Sequence, residues 1–164
     1  MKKSIFVLLL TLCVNGFLLA QTADETQVTA VINNLFKAMQ TNDTVLFKSV
    51  FADPVTMASV MKNREGKVVI ERETGIKDFV KQISKPHPRG AYNEEIWNMK
   101  VQLDGDFAQA WCDYAFYLGN TFSHCGVDAF HLVRTAEGWK IFHLADTRRL
   151  QGCNVPQNIQ DKHK

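Results

Sequence analysis

Past its first twenty residues the chain has no apolar run approaching the roughly 20 residues that a membrane-spanning helix needs, so no stable membrane insertion is expected of the remainder. It also carries little surplus charge: 19 Lys and Arg stand against 17 Asp and Glu. Arg148-Arg149 is only a pair, and without a basic stripe there is nothing to displace counterions from a phosphate backbone, which excludes nucleic acid as a partner. Proline is scarce, and Pro54, Pro86 and Pro88 fall where elements should stop. There is no internal repeat, no low-complexity tract and no linker before Pro156. These absences leave one domain, large enough to stand without metal or disulfide staples.

The first twenty residues are of another kind. Lys2 and Lys3 precede an apolar run from Ile5 to Leu12, and the segment closes on Leu18-Leu19-Ala20, the pattern of a secretory signal peptide cleaved after Ala20. Leu12 before Cys13 argues against lipid attachment, since lipoprotein processing wants a small residue there. The expected organisation is a signal peptide over 1–20, an α+β domain over 21–152 and a C-terminal tail over 153–164. The mature protein is then periplasmic or secreted, and loss of the two lysines brings a formal charge of +2 to neutrality. Lys162 to Lys164 reads as a frayed end.

In the domain, Thr22-Ala23-Asp24-Glu25 fits a capping box, and Val28, Val31, Ile32, Leu35, Phe36 and Met39 continue it as one apolar helical stripe stopping at Thr41-Asn42. Asp43 caps a second helix, with Leu46, Phe47, Val50 and Phe51 inward, ending before Asp53-Pro54. A third runs from Ile76 to Ile83 after a Thr74 cap. Val55–Met61 and Lys67–Arg72 form a hairpin between the second and third helices. Four strands follow over 93–150, with turns at Asp104-Gly105, Asn120-Thr121-Phe122-Ser123 and Glu137-Gly138.

This order, with Gly138-Trp139-Lys140-Ile141 in the last strand, resembles the nuclear transport factor 2 (NTF2)-like superfamily, in its exported SnoaL-like or lumazine-binding branch. The resemblance implies a cystatin-like fold: a cone-shaped, curved antiparallel sheet with the three helices of the N-terminal half on its concave face. It also implies sheet-to-sheet dimers. The superfamily holds isomerases, dehydratases, epoxide hydrolases and non-catalytic binders, so it does not choose a reaction. Phe36 and Met39 stand in the first helix where ketosteroid isomerases keep a tyrosine, and no catalytic residue is transferred.

Trp97, Met99, Val101 and Leu103 alternate with Asn98, Lys100 and Gln102, which points the first set at the helices. Carried across the hairpins, the inner face collects Ala110, Cys112, Tyr114, Phe116 and Leu118, then Val127, Ala129, His131 and Val133, then Phe142, Leu144, Asp146 and Arg148. Catalytic candidates are Asp146, Glu95, Tyr114 and His131: a desolvated carboxylate has a raised pKa, and Tyr114 and His131 can donate to an oxyanion. Trp97, Cys112, Tyr114, His131, Asp146 and Arg148 form the expected ligand-binding set. The same cluster also reads as a satisfied internal network.

His124, Asp128 and His131 would share a helix face, but on a strand positions seven apart lie roughly 23 Å from each other on opposite faces, so no metal site is expected. No cofactor is expected either. Of Cys112, Cys125 and Cys153, the register favours a Cys125–Cys153 disulfide, with Cys112 a buried thiol; three free thiols are the alternative, and a Cys112–His131 nucleophile pair is a further one. Trp111, Ala115, Tyr117, Phe130, Leu132, Ile141 and Ala145 are assigned to an outer face apolar enough to mark a homodimer interface. The function read here is small-molecule binding by an exported domain, of a partly apolar ligand. The alternatives are a cofactor-free lyase or isomerase using a cavity carboxylate, and an interaction module working through the outer sheet.

Overall fold

Apolar side chains spaced three and four apart make a helix only where a surface exists to bury them, and here that surface is a sheet. The computed structural model describes residues 23–164; the expected signal peptide and Thr22 of the capping box lie outside the described residues. Helix α1 spans 23–41, and its Val28, Ile32, Leu35 and Met39 are buried against the concave side of the sheet. Asn42 ends it with a left-handed backbone (φ 57°), and the Asp43 N–H closes the last turn on the Ala38 carbonyl. Asp43 then caps α2 (Thr44–Ser49), its Oδ1 accepting from the Val45 and Leu46 N–H groups. Helix α3 (Lys77–Ile83) has no side-chain cap, because Thr74 is the last residue of a strand and Ile76 takes the cap position.

Six strands form one sheet in the order β2-β1-β6-β5-β4-β3: β1 Phe51–Lys62, β2 Val68–Thr74, β3 Tyr92–Asp104, β4 Phe107–Leu118, β5 Thr121–Thr135 and β6 Gly138–Arg148. Phe51, expected at a helix end, opens β1 and pairs with Ile141. Four strand pairs are antiparallel hairpins, and β1 with β6 is parallel. That last pairing joins distant segments, so no turn signal announces it.

Three bulges decide which side chains face the helices. In β3, Asn98 (φ 53°) inserts one residue between Trp97 and Lys100, so Tyr92, Glu94 and Ile96 share the inner face with Met99, Val101 and Leu103. Glu95 and Trp97 therefore point outward, against expectation. The β4–β5 turn is Gly119-Asn120, not 120–123, and Ser123 is the extra residue that brings Phe116 opposite His124. This inverts all of β5. Phe130 and Leu132 are core, as is Ile141 on β6, while His131 lies outside beside Phe107, Phe142 and His143. Phe142 bulges in β6, after which Leu144, Asp146 and Arg148 return inward as expected.

The outer face is partly covered by the chain's own end. Cys125 and Cys153 form a disulfide (Cα–Cα 5.7 Å), and α4 (Gln157–Lys162) lays buried Ile159 against Ala115, Tyr117 and Cys125. The His163 ring stacks on Tyr117 at 3.8 Å, and Glu95 accepts from Lys162 Nζ at 2.8 Å with His163 Nε2 at 3.2 Å from its other oxygen. The end expected to fray is thus docked, and it takes Glu95 for that purpose. Closing a 28-residue separation removes unfolded-state entropy worth about 3 kcal/mol. Cys153→Ser should lower unfolding free energy by about that amount in urea denaturation and speed amide exchange over residues 153–163; an unchanged midpoint would contradict the docked tail.

Candidate functional site

The inverted register of β5 sets four inner positions side by side across four strands. Cys112 on β4 faces Asp128 on β5, Asp128 faces Asp146 on β6, and Asp146 faces Ser59 on β1. One step along, Tyr114 is paired with Gly126. A Cβ on Gly126 would stand 1.7 Å from the Thr147 carbonyl oxygen and 2.7 Å from Tyr114 Cε1, so only glycine lets the tyrosine hydroxyl reach that carbonyl, to which it donates at 2.9 Å.

Asp146 is held from three directions. Arg148 Nε donates to its Oδ2 at 2.8 Å, Ser59 Oγ to its Oδ1 at 2.5 Å, and the Tyr114 hydroxyl lies 3.2 Å from Oδ2. Arg148 also reaches Ser59 Oγ at 2.9 Å, closing the network. Burial disfavours the guanidinium, but the hydrogen bond and charge of Asp146 outweigh it and Arg148 stays a cation.

Asp128, 3% exposed, has no neutral or cationic donor for its Oδ2. The group that reaches it is another acid, Glu94 on β3. Burial, reinforced by the Asp146 charge, pushes Glu94 up to about 7, and burial with the charges of Glu94 and Asp146 holds Asp128 well above the ordinary carboxylate range. Burial and the same acids raise the Cys112 thiol and the Tyr114 hydroxyl, so both keep their protons. His124, edge-on to Tyr114 and tilted against Phe116, is held neutral by burial and by Arg148.

Above these groups lies a cavity of about 280 Å³. Met39, Met57, Phe79, Tyr92, Phe116 and Leu144 give it an apolar wall; half-buried Ser59, Glu94, His124 and Asp146 line its inner part, with the more exposed Arg148 beside Asp146; exposed Glu71, Glu73 and Asp78 stand at its mouth. A second hollow of about 450 Å³, bounded by Lys48, Asp53, Lys77 and Val80, is more open and has no such convergence of hydrogen-bonding groups.

Of the residues singled out from sequence, Asp146, Tyr114 and Arg148 come together here, and Cys112 lies in the floor beside Asp128. His131, Trp97 and Glu95 are on the other side of the sheet, which removes the Cys112–His131 pair as well. Glu94, Asp128, His124 and Ser59 were not anticipated. Two signals pointed at them: adjacent Glu94 and Glu95 on one strand must take opposite faces, and a glycine inside a strand marks a close approach. Among the described residues no group of three or more metal-ligating side chains forms a metal site, and no helix is long and apolar enough to cross a membrane.

The family profile of the SnoaL-like domain matches residues 20–145. No curated protein matches the chain. Among solved structures it is similar to an NTF2-like protein with a cystatin-like fold from Novosphingobium aromaticivorans, at 17% identity and TM-score 0.66, covering 85% of this chain and 90% of that one. A protein of unknown function from Mycobacterium tuberculosis aligns at 13% identity and TM-score 0.64, over 88% and 83% of the two chains. An NTF2-like protein of unknown function from Shewanella baltica aligns at 14% and 0.59, over 79% and 97%. At these identities the likeness is one of fold.

Glu94 and Asp128 keep their protons to higher pH when folded than when unfolded. The stability Glu94 contributes is complete below its ordinary pKa of 4.5 and is lost as pH rises through about 7, and Asp128 acts in the same direction. Unfolding free energy measured in urea should therefore fall between pH 5 and 8, and Glu94→Gln should flatten that slope. A wild-type profile that rises over this interval would show the pair to be ionised.

Proposed function

This chain belongs to the SnoaL-like domain family, with the NTF2-like cone as its fold, and on that premise we propose that it is an exported protein that holds a small, partly apolar molecule in the cavity between sheet and helices. The observation that carries this reading is the contrast within one half-open volume: an apolar and aromatic wall beside hydrogen-bonding groups fixed by their own partners. A volume of about 280 Å³ suits a ligand below drug size. Export is supported by the Cys125–Cys153 disulfide, which persists in an oxidising compartment, and by the signal-like first twenty residues. The outer sheet beyond α4 leaves Trp111 (52%) and Phe107 (40%) exposed, which supports a homodimer through that half of the face.

Native mass spectrometry of protein recovered from its own host should give a dimer carrying a small-molecule mass that leaves on denaturation. In solution, neutral phenylnaphthylamine should bind with enhanced fluorescence. Leu144→Trp, which fills the wall, should weaken that binding about tenfold or more, the loss of roughly 1.4 kcal/mol, with the melting temperature little changed. Binding indifferent to the filled wall would place the probe elsewhere and remove the reading.

A second reading, a cofactor-free lyase or isomerase, is favoured by the Glu94 carboxyl, which lines the cavity with Asp146 and Arg148. A carboxyl poised near neutrality exchanges protons with a bound carbon acid, and Arg148 beside it offsets developing negative charge. Ring opening of a nitrobenzisoxazole, a generic test of a desolvated carboxylate base, should then run faster than in acetate buffer and drop at least tenfold in Glu94→Gln. A rate equal to that of acetate leaves binding alone.

A further inference from the structure

The mouth and the end of the cavity are charged alike. Glu71, Glu73 and Asp78 at the rim make no ion pair among the described residues, and the one guanidinium lining the cavity, Arg148, is already committed to Asp146 at 2.8 Å. Asp128, on the same inner face, buries a carboxylate oxygen that no neutral or cationic side chain serves. Between rim and end the wall offers the faces and edges of Phe79, Tyr92 and Phe116. An anionic guest would meet uncompensated carboxylates at the rim and at the end. A cation with an apolar body would be attracted at the rim, stacked along the wall and hydrogen-bonded at the end.

We infer that the ligand of this cavity is an organic amine, its ammonium group accepted by Glu94 and its apolar body packed against the aromatic wall. The inference rests on the cavity being a binding site at all, and it names the ligand's charge. It has a consequence for protons. The groups facing Glu94 are Asp128 from β5, Asp146 and Arg148 from β6, and the Tyr114 hydroxyl and Cys112 thiol of β4. Tyr114 and Cys112 keep their protons and Arg148 is spent on Asp146, so the proton of Glu94 is the one an arriving ammonium displaces. Amine binding releases a proton near neutral pH and tightens as pH rises from 6 to 8, below the amine's own pKa.

Three probes with one body separate charge from shape: naphthylethylamine, naphthylethanol and naphthylacetate, titrated calorimetrically at pH 7 in buffers of different ionisation enthalpy. The amine should bind about tenfold or more tighter than the alcohol, the acetate weakest, and only the amine should release a proton. The amine-to-alcohol ratio should fall about tenfold in Glu94→Gln. It should also fall severalfold in the rim double variant Glu71→Gln/Glu73→Gln, whose exposed positions carry no folding risk, and should shrink at high salt. Three equal affinities, or an acetate preference, would overturn the amine assignment while leaving the cavity a binding site. Failure of all three to bind would instead overturn the cavity reading itself.

Discussion

Three carboxylates, Glu94, Asp128 and Asp146, cluster on the inner face of the sheet beside one cavity with a single guanidinium; Arg148 neutralises Asp146, and burial holds Glu94 and Asp128 toward their protonated forms. Everything around the site serves that arrangement. Register across β4, β5, β6 and β1 sets the row, Gly126 admits the Tyr114 hydroxyl, and Ser59 satisfies the remaining oxygen of Asp146. An apolar core would be cheaper to build. An acidic cluster retained beside an open volume is what supports the proposal of a guest there.

The two faces of the sheet have been given different work. The concave face buries α1 and leaves a gap bounded by α3 on one side and by β2, β1 and the strands beyond on the other, and that gap is the cavity. The convex face is sealed over Ala115 and Tyr117 by a tail that a disulfide pins, with Glu95 as anchor for Lys162 and His163. Adjacent glutamates on β3 thus serve opposite purposes, one toward the cavity and one toward the tail. Strand geometry alone separates them.

Membership of the SnoaL-like family and the resemblance to NTF2-like cones establish a scaffold, and scaffolds of this kind do not dictate chemistry. The site's own residues are more informative. A neutral His124, a protonated Tyr114 and an inert Cys112 thiol leave the Glu94–Asp128 pair as the group at the cavity end that changes charge near neutrality. Proton transfer and amine recognition both draw on that property, in opposite ways: one moves the proton to and from a carbon acid, the other expels it.

Element types and their order as far as β6, the Asp43 cap, the stop at Asn42 and the partner of Cys153 were legible in the residues, because each depends on contacts within a few positions or on a face set by a nearby turn; α4 was not. The inward aim of Tyr114, Asp146 and Arg148 was legible for the same reason. What tertiary structure alone decided was parity. Single inserted residues at Asn98, Ser123 and Phe142 each exchange the two faces of a strand, and they sent His131, Trp97 and Glu95 out while bringing Glu94, Asp128 and His124 in. A bulge is stabilised by the curvature of the whole sheet and by the helices it must enclose, not by the residue that forms it, so alternation along one strand carries no record of it.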